Sequence, residues 1–465
     1  MGKFIKDVPR ILALIVGGVG MGVAGSIYCF GVYSNAVKKH FNYTQSEVEV
    51  ISAMSNFGIS LGFPAGFMCE RLGARWTSLA ALLIAGLGFM LSWSTTLLEE
   101  FYHPKVWLQD IYFFISGFGA VFMYMACLTT NMNNFHPKHR GKVVGLMDAS
   151  FSAGPALFAL LYGEIFINGH DTDEQNQNLG GFYLMSAISF AVTGLLGIIF
   201  LHPISYDSVD FEENTIIGGD SLSSSNPSLQ QMKEEPKQIT GLKMIKRFDF
   251  HYIFWAYIFC AGLQLMFQNN IGTYLKSYRI EEYTTLFTTI NPIAGVFSKF
   301  FAGFMSDMLV HRLPRASILL AFNVGQTIAL VIAVFFSDNF VILLIILLVV
   351  GFANGALWCL TPTMISEFYG MQYFGRNWGS IMLGNAFGGL LIQQLFGWMY
   401  DSSIGIEGET DCYGLICFRW SFIMIATLSF CSVIFNLGLL QQKLDQSKQG
   451  HKIEHEMCCK PSTND

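Results

Sequence analysis

Runs of about 20 apolar residues, the length a helix needs to cross a bilayer core, alternate along the chain with short polar breaks. Twelve such runs lie near residues 11 to 36, 48 to 68, 77 to 98, 107 to 132, 143 to 167, 181 to 201, 250 to 273, 284 to 306, 316 to 336, 339 to 363, 377 to 400 and 418 to 440. The first continues into Tyr28-Cys-Phe-Gly-Val-Tyr33 without a small-residue cleavage site, so it is expected to be a retained helix and not a secretory leader. One long polar interval interrupts the series. It carries Ser221-Leu-Ser-Ser-Ser-Asn-Pro227 and Lys233-Glu-Glu-Pro-Lys237, with too few apolar residues to fold alone. The pattern therefore predicts an all-α membrane protein with twelve transmembrane helices in two pseudo-symmetric six-helix bundles. These span 1–202 and 249–440, joined by a largely disordered cytoplasmic linker at 203–248 and followed by a cytoplasmic tail at 441–465.

Composition agrees. Of 465 residues, 52% are hydrophobic and 13% charged, and the mean hydropathy is +0.44. A net charge of -6 without a basic stripe offers nothing to a phosphate backbone, so nucleic acid is excluded as a partner. The positive-inside rule sets the orientation. With both termini inside, 20 of the 27 Lys and Arg residues fall on the cytoplasmic side and six outside, while Lys299 lies within the eighth run. The sequon Asn42-Tyr-Thr44 then falls in the first external loop as a candidate glycosylation site, close to the second span. Cys412 and Cys417 fall in the last external loop, where they form a disulfide or remain two thiols at a helix entry. Within the linker, Glu212-Glu-Asn-Thr-Ile-Ile217 has the form of an acidic di-leucine sorting signal or is simply solvated linker. Plasma and endolysosomal membranes are the candidate locations.

A repeat runs through the chain. Ala65-Gly-Phe-Met-Cys-Glu70 recurs as Ala302-Gly-Phe-Met-Ser-Asp307, 237 positions later. A shift of 234 lays Arg140-Gly-Lys-Val-Val-Gly145 over the region of Gly375-Arg-Asn-Trp-Gly379. Equivalent loops thus match in order, as in bundles related by an axis along the bilayer normal.

With these residues the chain resembles a major facilitator superfamily transporter. The family signature Gly-x-x-x-Asp-Arg-x-Gly-x-Arg between helices 2 and 3 appears as Gly66, Glu70, Arg71, Gly73 and Arg75, with Glu for Asp. The second copy keeps Gly303 and Asp307, but its arginines do not align one for one. Tyr28-Cys-Phe-Gly-Val-Tyr-Ser34, Pro362-Thr-Met-Ile-Ser-Glu-Phe-Tyr-Gly370 and the Cys-x-Gly-x-x-Cys-Phe of residues 412 to 418 are similar to nodulin-like members, neighbours of the monocarboxylate and oxalate/formate porters. The resemblance implies alternating access, with Gly66, Glu70, Arg71, Gly73, Arg75, Arg140, Gly303, Asp307 and Arg376 as gating residues. The physics is consistent with this role, because a carboxylate near an arginine and a facing helix N-terminus can latch two helices.

The cargo is expected to be a small solute, with a monocarboxylate-like organic anion as the leading reading. Lys299 lies four residues before Gly303, where the related porters carry a substrate-binding arginine, and an ionisable group within a membrane helix is a functional candidate. It is equally a lysine that snorkels or pairs with a neighbouring helix. The chain departs from the monocarboxylate pattern at Gly295 and Val32, and has no lysine in helix 11 to match the oxalate exchanger. Tyr28, Tyr33, Asn131, Gln264, Gln268, Asn269, Asn270, Asn354 and Trp358 are cavity candidates or interhelical contacts. Asp148 and Glu164 are candidates for proton coupling, and Asp148 alternatively pairs with Arg140. Amino acids or another neutral metabolite, and a non-transporting sensor with the same fold, are the rival readings. Gly17, Gly18, Gly20 and Gly22 read as close helix packing, not as a dinucleotide loop, since no strand precedes them. No zinc spacing, phosphate loop or nucleophile elbow points to an enzyme, and no cofactor or metal is expected. A monomer is expected.

Overall fold

A computed structural model describes the chain except for residues 1, 168–176, 205–237, 311, 404–412 and 459–465. The described residues are almost entirely helical, and ten of their helices are long and apolar enough to cross a membrane. The segments expected as the eighth and eleventh spans are also helices, Thr284–Leu309 and Phe374–Ser403. Apolar side chains on the outer faces fit a lipid surround. On Leu179–Phe200, Ile188, Val192, Leu195 and Ile199 are each at least half exposed and recur at helical spacing.

Two compact units emerge, Met1–Gly241 with Pro362–Leu383, and Leu242–Thr361 with Gly384–Asp465. The first contains α1 (Gly2–Gly25), α2 (Phe30–His40), α3 (Gln45–Ser60), α4 (Gly62–Leu72), α5 (Ala74–Thr95), α6 (Val106–Asn134), α7 (Arg140–Leu161) and α8 (Leu179–Phe200). Here α6 is the central helix, packed by α1, α3 and α5, and buried over most of its C-terminal half. Glycines permit these approaches: a Cβ added at Gly154 of α7 would strike the carbonyl of Gly22 on α1, in keeping with the packing expected of that glycine run. The second unit contains α9 (Phe248–Asn269), α10 (Ile271–Ser277), α11 (Thr284–Leu309), α12 (Arg315–Phe336) and α15 (Ile416–Cys458). Its core gathers Phe267, Tyr274, Phe418 and Phe422 with aliphatic neighbours. Two helices contribute to both units. α13 (Phe340–Tyr369) enters the first at Pro362, and α14 (Phe374–Ser403) leaves it after Leu383.

Three expected spans differ from simple rods. The first is interrupted by a 3-10 turn at Ser26–Cys29, where the Ser26 hydroxyl donates to Val23 O at 2.7 Å. The second breaks at Leu61 because Pro64 has no N–H to donate and its ring crowds the carbonyl four residues earlier. The seventh breaks at Asn270, which turns its own amide onto Met266 O. The last helix runs on to Cys458 instead of ending near residue 440: Gln441–Gln449 carry no proline or glycine, and the helix continues through the single Gly450. Most of the expected linker, including the Glu212–Ile217 motif, lies outside the described residues. Its end at 238–240 is held: Ile239 N donates to Tyr369 O, and Asn377 Nδ2 to Ile239 O.

Candidate functional site

The signature segment closes on a helix crossing inside the first unit. Gly62, Gly66 and Glu70 recur every four residues on one face of α4, and they meet Gly375 and Gly379 at the start of α14. A Cβ at Gly66 would collide with the Gly375 carbonyl, and one at Gly62 would sit 2.8 Å from Gly379 Cα. Two small-xxx-small stripes thus bring the backbones together. That approach delivers the acid at the end of α4: Glu70 accepts from Arg376 N at 2.9 Å and pairs with the Arg376 guanidinium. Arg376 also lies over the rings of Tyr373 and Phe67, at 4.7 and 5.0 Å. Arg71 is exposed and lies over the same Phe67 ring at 4.8 Å. Gly73 ends α4 with φ +83, a conformation that favours glycine, and Arg75 follows on the surface.

The second copy is wired differently. Asp307, near the end of α11, is buried and pairs with Arg315 at 2.8 Å, and Arg315 also donates to the Ser306 hydroxyl. The acid is therefore tied to an arginine only eight residues on, at the first residue of α12, which the motif alignment left unassigned. Gly303 is buried on the same helix and its carbonyl accepts from Ser306. Arg140 opens α7 beside a short 3-10 turn at Pro137–His139. There, burial and the neighbouring His139, Lys138 and Arg140 lower the pKa of His136, whose Nδ1 accepts from the Lys138 N–H.

Asp148 is fully buried on α7. The Tyr124 hydroxyl of α6 donates to its Oδ1 at 3.1 Å, and the indole N–H of Trp378 donates to that hydroxyl at 3.2 Å. Trp378 adjoins Gly379 of the crossing, so the same five residues of α14 meet α4 and, through the Tyr124 hydroxyl, reach the buried acid. Glu164 differs: it is exposed within a five-residue π-helical turn, Tyr162–Phe166.

In the second unit, Lys299 on α11 is only 5% exposed and its Nζ lies 5.9 Å from the centre of the Trp358 ring on α13. Tyr257 of α9 meets the same indole edge-on at 5.6 Å. Small residues bring α11 and α13 together: a Cβ at Gly355 would strike the Gly295 carbonyl, and the Ser298 hydroxyl donates to Phe352 O. Further along, Gln264 Nε2 donates to Asn291 Oδ1 at 2.7 Å, and Asn291 Nδ2 to Leu347 O at 3.1 Å. Asn354 is one turn from Trp358 and half-buried.

The remaining candidates separate from this group. Asn131 bonds Ala13 O and Cys127 O, bridging α6 to α1. Tyr33 is buried among Phe30, Tyr162, Phe182 and Tyr183, while Tyr28 is half-buried against Phe151. Asn270 is used by its own helix, as is Asn269 by ending it, and the side chain of Gln268 lies outside the described positions. Asn42 is exposed with φ 53, two residues before Thr44 caps α3. Cys412 lies outside the described residues; Cys417 is buried and disulfide-bonded. Tyr124, Trp378, Tyr257 and Asn291 were not among the expected site residues. Trp378 sits inside the repeated Gly375–Gly379 segment, which was the signal available for it.

Residues 14–312 and 258–457 match the Major Facilitator Superfamily. A protein described as "Probable transporter MCH1" of Wickerhamomyces anomalus is 22% identical over 447 residues, covering 93% of this chain and 88% of that protein. Its Saccharomyces cerevisiae namesake is 23% identical, covering 90% and 91%. Among solved structures, the proton:xylose symporter XylE bound to 6-bromo-6-deoxy-D-glucose is similar with a TM-score of 0.66 at 12% identity, covering 94% of this chain and 96% of that one. The E. coli fucose:proton symporter FucP gives 0.57 at 13%, covering 92% and 99%. The chain belongs to the major facilitator superfamily, and is a membrane transporter of that fold.

Proposed function

We propose that this transporter moves a small organic anion of the monocarboxylate type by alternating access. The observation that carries this reading is Lys299, an ammonium almost wholly buried within a helix of a membrane protein. A basic side chain buried in a membrane helix is costly to keep there, and so marks a candidate site for function. Its positive charge suits an anionic solute, and the Trp358 ring beside it gives that solute an apolar wall. The similarity to the nodulin-like and monocarboxylate branch supports the same class. In this reading Glu70 and Arg376 latch the cytoplasmic gate and release it when the inside opens. Asp148 is the candidate for proton coupling, in line with the proton symporters among the structural neighbours. Both termini lie in the cytoplasm, with Asn42 and the Cys412–Cys417 pair outside, and the transporter works as a monomer in the plasma or an endolysosomal membrane.

An uptake screen of organic acids against amino acids at two pH values tests the proposal, using wild type, Lys299→Gln and Glu70→Gln. Lys299→Gln is expected to lower anion uptake at least about tenfold, consistent with the loss of a charged hydrogen bond. Glu70→Gln is expected to reduce transport without reducing surface expression. A neutral substrate with an unimpaired Lys299→Gln protein would instead favour the neutral-metabolite reading, for which the amides of α9 and α11 speak. Saturable binding without vesicle uptake would mark a sensor.

A further inference from the structure

We infer that Gln264 recognises a hydrogen-bond donor on the transported solute, so that the cargo is a hydroxylated or aminated carboxylate and not a plain alkyl acid. The carboxylate half of this statement rests on the function proposed for Lys299. The donor half stands on geometry alone.

The amide orientations are forced. The Leu347 carbonyl can only accept, so the Asn291 side chain must turn its nitrogen toward it. Asn291 Oδ1 then faces α9 and must receive a donor, which is Gln264 Nε2. The Gln264 amide is thereby fixed with its nitrogen toward Asn291 and its oxygen turned away. Its Oε1 is buried, has no hydrogen-bond partner among the described residues, and belongs to a side chain only 4% exposed. A buried acceptor left empty is destabilising, and only a donor can fill it.

The position suits a solute held by Lys299. Tyr257 and Lys299 both meet the Trp358 ring, which sets the register of α9, α11 and α13. Gln264 lies seven residues from Tyr257, about 10 Å along α9. Asn354 lies four residues from Trp358, about 6 Å along α13, and its Oδ1 is likewise buried without a partner among the described residues. An anionic group at Lys299 with a hydroxyl or ammonium three or four carbons away spans this interval.

Three probes that share one skeleton test the inference on the full-length protein: butyrate, 4-hydroxybutyrate and 4-aminobutyrate, with binding read by calorimetry. Wild type is expected to prefer the hydroxyl or the ammonium probe about tenfold over butyrate, the worth of one good hydrogen bond; which of the two wins identifies the donor. Gln264→Met should compress the preference below about twofold, whatever its effect on butyrate itself. Asn291→Leu leaves Gln264 in place but frees its amide to rotate, and should erode the preference as well, which a purely structural role for Gln264 would not do. Equal affinity for all three probes in wild type, or a preference that survives Gln264→Met, overturns the inference. Lys299→Gln should weaken all three together with the preference intact. If it weakens none while Gln264 still discriminates, the anion reading falls and the donor assignment stands.

Discussion

At the scale of single residues, the glycines of α4 are explained by what they meet. Gly62 stands where the second repeat has Lys299, and its Cβ position is occupied by Gly379 of α14. Gly66→Ala is expected to hold Glu70 away from Arg376 and to raise labelling of a cysteine introduced at Arg75, with transport down about tenfold, as for loss of a buried charge-assisted contact. Unchanged labelling and transport would show that the crossing has slack. Gly66 and Glu70 were legible because they belong to a motif. The need for Gly375 and Gly379 was less so, since a glycine required by close approach leaves no trace of its partner 300 positions away. Lys299 was visible as a lone charge in an apolar run, but Tyr257 and Asn291, which define its surroundings, looked like ordinary polar positions among many.

At the scale of elements, the first turns of α14 commit nearly every residue. Gly375 and Gly379 meet α4, Arg376 meets Glu70, Asn377 meets the end of the linker, and Trp378 meets Tyr124. Trp378→Phe keeps the ring and removes the N–H that joins this segment to Asp148. It should slow turnover severalfold while leaving solute affinity unchanged, measured as separate effects on maximal rate and half-saturation. A change in affinity alone would place Trp378 in the binding site instead. Helix existence was readable from apolar runs, whereas the breaks at Ser26–Cys29, Leu61 and Asn270 were not, because hydropathy is blind to which hydrogen bond fails. Only the Leu61 break had a local cause in plain view, at Pro64.

At the scale of the whole molecule, the superfamily fold was legible from the repeat, the run lengths and the loop charges, which are properties summed over hundreds of residues. The wiring of the two repeats was not. Their acids look equivalent in sequence, yet Glu70 reaches an arginine 306 positions away and Asp307 reaches one at the next helix start. The side chain of Glu70 is 6% exposed and that of Arg376 is 19% exposed. Mobile ions screen charges that water can reach, with a Debye length of about 8 Å at physiological salt, and buried pairs much less. Transport should accordingly vary by less than about twofold as internal potassium chloride is raised from 10 mM to 500 mM at fixed solute gradient. A steep salt dependence would mean that the pair is held open in the resting state. If this pair is the gate proposed above, a closure so shielded from water would depend little on the electrolyte around it, and would work alike in dilute and concentrated surroundings.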